Sequence, residues 1–70
     1  MTSYSTDQLI NAVNTQKGSD QQFAQKLSAA VKRKEKNCLK KLIQDVALKI
    51  FGVLVEAIIN AALNHFFALH

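Results

Sequence analysis

LIQDVALKIFGVLVEAIINAALNHFFAL, Leu42 to Leu69, is the stretch on which the fold turns. Read at helical period, its polar positions fall on one narrow track: Asp45, Lys49, Glu56, Asn60 and Asn64, with Gly52 on the same line. Apart from Gln44 and His65, the rest of the cylinder is apolar. A helix apolar on nearly all sides must be buried in a larger body or in lipid.

Length sharpens the problem. A helix from Asn37 to Leu69 spans about 50 Å at 1.5 Å per residue. A compact chain of this size has a radius of gyration near ~11 Å and is about 30 Å across. Such a helix must bend, pair with a second copy or enter lipid. Gly52 is its weak point, costing about 1 kcal/mol against alanine in a helix interior. The missing side chain would equally let another helix approach.

A single core at this length rarely supplies more than ~3–5 kcal/mol, so small folds add disulfides, a metal or a partner subunit. The lone Cys38 cannot close an internal disulfide. The two histidines and five acids show no metal-ligand spacing, so no metal or cofactor is expected. Oligomerisation is the remaining route, and a chain that is 49% hydrophobic suits it. An intersubunit disulfide through Cys38 is conceivable, but a passive thiol is the plainer reading.

Upstream, the chain is rich in Ala, Lys, Leu and Gln, with no proline and two glycines, which reads as all-α. Residues 1–4 look frayed. Ser5 with Gln8 has capping-box spacing, and Leu9, Ile10 and Val13 form a one-sided strip, so a helix is expected over about 6–15. Gly18 offers a left-handed stop, and Ser19 with Gln22 offers a second capping box. The next helix is expected over 20–36, with Phe23, Leu27 and Val31 on its apolar face, backed by Ala24 and Ala30. Asn37 is the one plausible stop, because asparagine tolerates the left-handed conformation; the alternative is a helix that continues straight into the apolar stretch. The third helix then covers 38–69.

Ser19–Leu27, SDQQFAQKL, resembles the first helix of a phage-repressor-type helix-turn-helix. In that family a Phe-Ala pair and a following Leu pack the core. The resemblance spans nine residues and implies a turn and a second helix. The next stretch, SAAVKRKEKN, signals neither in its residues.

Six of the nine basic residues lie between Val31 and Lys41: Lys32, Arg33, Lys34, Lys36, Lys40 and Lys41, with Glu35 the one acid. Lys32, Lys36 and Lys40 share a face on a continuous helix. Such a band can lie along a phosphate backbone, each contact adding affinity and salt dependence without sequence information. The run lacks interleaved aromatics, so base stacking is not indicated. The plainer reading is a solvated segment that keeps an apolar protein soluble. The formal charge of +4 favours an anionic partner only weakly.

Other readings compete. Lysines preceding an apolar stretch obey the positive-inside rule. Within Ile50–Ala68, however, Glu56 costs about 2.5–3.5 kcal/mol if priced like aspartate, and each Leu, Ile, Phe or Val returns about 0.3–0.6. Ten such residues leave the span marginal once the asparagines are included, so a membrane-associated surface helix is the alternative to crossing. Lys49 and Glu56, seven apart, could pair across a two-fold contact, although a track facing water is simpler. His65 and His70 are five apart and diverge, which suits a helix end better than a metal. No catalytic spacing and no phosphate-cradling glycine loop is present, so no enzyme is expected and no catalytic residue is assigned. The polar N-terminus carries no secretory signal, and the expected setting is cytoplasmic.

The expected fold is therefore all-α: one domain over 1–70, with two short N-terminal helices and a long apolar C-terminal helix, assembled as a helical homodimer. Its common core is Leu42, Ile43, Val46, Ile50, Phe51, Leu54, Val55, Ile58, Ile59, Ala62 and Phe66. Of these, Ile43, Val46, Ile50, Leu54, Ile58, Ala62 and Phe66 form the dimer interface, and no stable folded monomer is expected. The expected function is a small non-enzymatic regulatory protein that holds a DNA or RNA duplex through the six basic residues. A membrane-associated protein and a protein-binding inhibitor or adaptor are the alternatives.

Overall fold

Ser5 starts the first helix as its residue type dictates. Its Oγ accepts from the Gln8 N–H and its own N–H donates to Gln8 Oε1, both at 3.2 Å, closing a capping box. The computed structural model describes residues 4–69, and the readings of Met1 to Ser3 and of His70 lie outside them. Four helices follow: α1 (Thr6–Ser19), α2 (Gln21–Lys32), α3 (Lys36–Phe51) and α4 (Glu56–Ala68), with no strand among the described residues.

The boundaries depart from the sequence expectation in instructive ways. α1 runs through Gly18 to Ser19, and Gly18 does not take a positive φ. Asp20 makes the break instead. Its extended backbone ends α1, and its Oδ1 accepts from the Phe23 N–H at 3.1 Å to start α2. The expected Ser19–Gln22 box is thus replaced by an aspartate cap one residue later.

α2 stops four residues before the expected 36. Lys34 takes φ 55°, the only non-glycine positive φ among the described residues. The Glu35 N–H donates to Ala30 O at 2.9 Å and the Lys34 N–H to Val31 O at 3.2 Å. These two bonds make a Schellman closure with a lysine in the seat glycine usually fills. Asn37, the expected stop, lies inside α3. α2 continues to Lys32, five residues past the nine that resemble a helix-turn-helix, before a three-residue turn and α3 follow.

The long C-terminal helix over 38–69 is not formed. Gly52 adopts φ 75° and ψ 0°, its N–H bonds Leu48 O at 3.0 Å, and α3 ends there. α4 restarts at Glu56 after three further residues. A bend was one outcome the length allowed, and the outcome is a break at the glycine with a four-residue link, Gly52–Val55, that lets α4 pack on α3. The apolar cylinder is thereby cut into two pieces that pack on each other, and α1 packs against all three other helices.

The resulting core holds Leu9, Val13, Phe23, Leu27, Ala30, Val31, Leu39, Ile43, Val46, Ala47, Ile59, Ala62, Leu63 and Phe66. Burying each of the larger side chains contributes about 1.5–3 kcal/mol relative to exposure. The apolar faces read on the first two helices hold. The expected common core holds for Ile43, Val46, Ile59, Ala62 and Phe66. Leu42, Phe51, Val55 and Ile58 are half-buried, and Ile50 and Leu54 are exposed. The polar track of Asp45, Lys49, Glu56, Asn60 and Asn64 faces water throughout. The radius of gyration is 11.2 Å, that of a compact chain of this size.

Among the described residues, no helix is long and apolar enough to cross a membrane. Gly52–Val55 interrupts the 19-residue window that came closest in sequence.

Candidate polyanion-binding corner

The basic run is bent around the α2–α3 corner. Lys32 closes α2, Arg33 and Lys34 make the turn, and Lys36 opens α3, with Lys40 and Lys41 one turn further on. The expected single face carrying Lys32, Lys36 and Lys40 does not exist, because the helix breaks between the first two. What replaces it is a band of positive charge that follows the α2–α3 corner.

Not all six cations are equally available. Lys40 Nζ lies 3.5 Å from Glu56 Oε2 at the start of α4, and Arg33 Nη1 lies 3.7 Å from Glu35 Oε1. Exposed pairs of this kind contribute about 0–1 kcal/mol, so they bias the side chains more than they hold the fold. Lys32, Lys34, Lys36 and Lys41 are exposed and have no ion-pair partner among the described residues. Glu56 is thus engaged by Lys40 of its own chain, while Lys49 Nζ reaches Gln16 Oε1 at 3.5 Å.

Local structure adds to this charge. α3 begins at Glu35 without a side-chain cap, and its first turn holds no acid. The positive end of the helix macrodipole and the unpaired N–H groups of that turn therefore add to the lysines.

Two residues outside the basic run join it in space. Lys17, in the last turn of α1, shares with Lys32 a shallow depression over the outer face of α2 floored by Gln21, Ala24, Gln25, Ser28 and Ala29. Phe67, near the end of α4, lines a cleft of about 430 Å³ together with Val31, Lys34 and Lys36. Neither was visible in the sequence. Lys17 lies 15 residues before Lys32, and Phe67 lies 31 residues beyond Lys36, so only the packing of α1 and α4 against the rest brings them in.

The seven residues expected at a dimer interface divide sharply. Ile43, Val46, Ala62 and Phe66 are buried in the chain's own core and Ile58 is half-buried. Only Ile50 and Leu54 reach the surface, beside Leu48 and Val53, each of the four 44–48% exposed around the α3–α4 corner. Cys38 is exposed. His65 is exposed in the last turn of α4, edge-on to Phe66. Among the described residues no three His, Cys, Asp or Glu side chains converge as a metal site would require.

No protein-family model matches this chain, and neither a curated protein nor a solved structure matches it closely enough to carry an inference.

Proposed function

We propose that this is a non-enzymatic, nucleic-acid-binding regulatory protein that grips phosphates through the α2–α3 corner and associates with itself through the α3–α4 corner. One observation carries the reading: Lys32, Lys34 and Lys36 stand exposed and unneutralised at a single turn, with Lys41 one helical turn further along α3, and the only acid of the turn, Glu35, is directed to Arg33. Mutual repulsion among such charges is relieved by a polyanion, whose counterions are released on binding. Arg33 and Lys40 contribute once their exposed carboxylate partners are displaced, and Lys17 extends the track along α2.

Self-association rests on Leu48, Ile50, Val53 and Leu54. Four large apolar side chains are left nearly half exposed around one short corner, and a second copy would cover part of that surface.

The decisive test is a salt titration of nucleic-acid binding by fluorescence anisotropy. With four to six phosphates contacted, affinity is expected to fall by about 100-fold or more between 50 and 200 mM salt. Lys34→Glu combined with Lys36→Glu is expected to weaken binding at least tenfold and leave the helical circular-dichroism signal intact. Binding that ignores both salt and the double reversal removes the phosphate-gripping role.

A further inference from the structure

A phenyl ring inside a lysine cluster is a different object from a lysine cluster alone. The cleft at the α2–α3 corner has two kinds of wall. Lys34 and Lys36 supply positive charge, and Val31 and Phe67 supply an apolar surface. Phe67 is half-buried, packed against the core while still lining the opening. It is therefore held in place by the fold and does not need to be ordered by a ligand.

Lys34 is fixed in a second way. Its left-handed backbone is locked by the Schellman bonds to Ala30 and Val31, so its side chain leaves the turn in a direction set by the main chain. The two lysines are two residues apart across the start of α3. The single acid of the turn, Glu35, lies 3.7 Å from Arg33.

We infer that the Val31–Lys34–Lys36–Phe67 cleft binds single-stranded nucleic acid, with one base against Phe67 and the flanking phosphates on Lys34 and Lys36. The inference rests on the phosphate-binding reading of this corner and narrows it. A duplex offers this cleft only its phosphates, since its bases are stacked inside. A single strand offers both a flat apolar face and the charge. Stacking on an aromatic side chain contributes about 1–3 kcal/mol per base, about 5- to 150-fold in affinity. Every base has a flat face to stack, so little sequence preference follows.

The test compares a fluorescein-labelled 12-nucleotide oligo(dA) with a 12-base-pair duplex, by anisotropy at 50 mM salt. The wild-type chain is expected to bind the single strand at least fivefold more tightly. Phe67→Leu keeps the apolar volume and removes the ring. It is expected to weaken the single strand about tenfold, leave the duplex unchanged and leave the salt slope unchanged. Phe67→Tyr, which keeps the ring, is expected to retain single-strand affinity, and so separates stacking from any loss of fold seen by circular dichroism. Equal affinity of Phe67→Leu and wild type for the single strand overturns the stacking site while duplex binding keeps the phosphate reading alive. Absence of binding to both nucleic acids removes the two readings together. Binding confined to phosphatidylserine vesicles, and lost in Phe67→Leu, overturns the inference in favour of a lipid surface.

Discussion

α3 is bounded by two corners that use one backbone device and carry opposite chemistry. At its start, Lys34 sits at φ 55°, and the turn bristles with lysine. At its end, Gly52 sits at φ 75°, and the corner is apolar: Leu48, Ile50, Val53 and Leu54. Both corners turn the chain through one left-handed residue. Glycine adopts that conformation freely, whereas an L-residue with a side chain spends about 1–2 kcal/mol on it. The corner that uses the strained residue is the one with the candidate binding cleft. Strain of this kind gathers where a side chain's direction matters more than its cost.

The comparison can be broken at the apolar corner first. Gly52→Ala introduces a Cβ that meets nothing within 4 Å, so any effect comes from backbone conformation alone. It is expected to destabilise by about 1 kcal/mol in urea unfolding, the left-handed cost less the gain from a stiffer unfolded chain. A continuous helix through residue 52 gives the opposite sign, a gain of about 1 kcal/mol. The direction of that one shift therefore decides between four helices and three.

At the basic corner the signs are reversed. Lys34→Gly is expected to stabilise by about 0.5–1 kcal/mol, because it relieves the left-handed strain and loses some of that gain to a more flexible unfolded chain. The same variant is expected to bind oligonucleotide more weakly, since it removes a cation from the cleft. Stability and affinity moving in opposite directions would mark the lysine as retained for binding. A loss of stability would instead mean that the lysine side chain supports the turn.

The smallest effect on folding is expected from Ile50→Lys combined with Leu54→Lys. Both side chains are nearly half exposed, so the change in stability should stay within about 0.5 kcal/mol. Sedimentation velocity is the informative readout. Wild type is expected to show a concentration-dependent dimer and the double variant a monomer. Identical monomeric sedimentation of the two would leave the apolar corner without a second copy.

How much of this was legible depended on whether the deciding interaction was local. The Ser5–Gln8 box was readable because both partners lie in one turn. So were the apolar faces of the first two helices and the solvent-facing polar track. Gly52 was readable as a weak point but not as a break, because glycine tolerates helix and turn alike and burial elsewhere makes the choice. Here α3 and α4 cover each other only if the chain turns back. Lys34 was unreadable, since nothing about lysine marks a left-handed position. Reading the basic run as an uninterrupted helix then placed Lys32, Lys36 and Lys40 on a face that does not form. Phe67 lay outside the reading for the same reason as Lys17: sequence patterns show neighbours along the chain, and the cleft is built from neighbours across it.

The packing of α1 against α4 has a consequence for how the molecule comes into being. α1 is synthesised more than thirty residues ahead of the helix that seals it. Leu9 and Val13 therefore reach their full burial only after α4 has been made. The core draws on all four helices, so it closes only when α4 is in place.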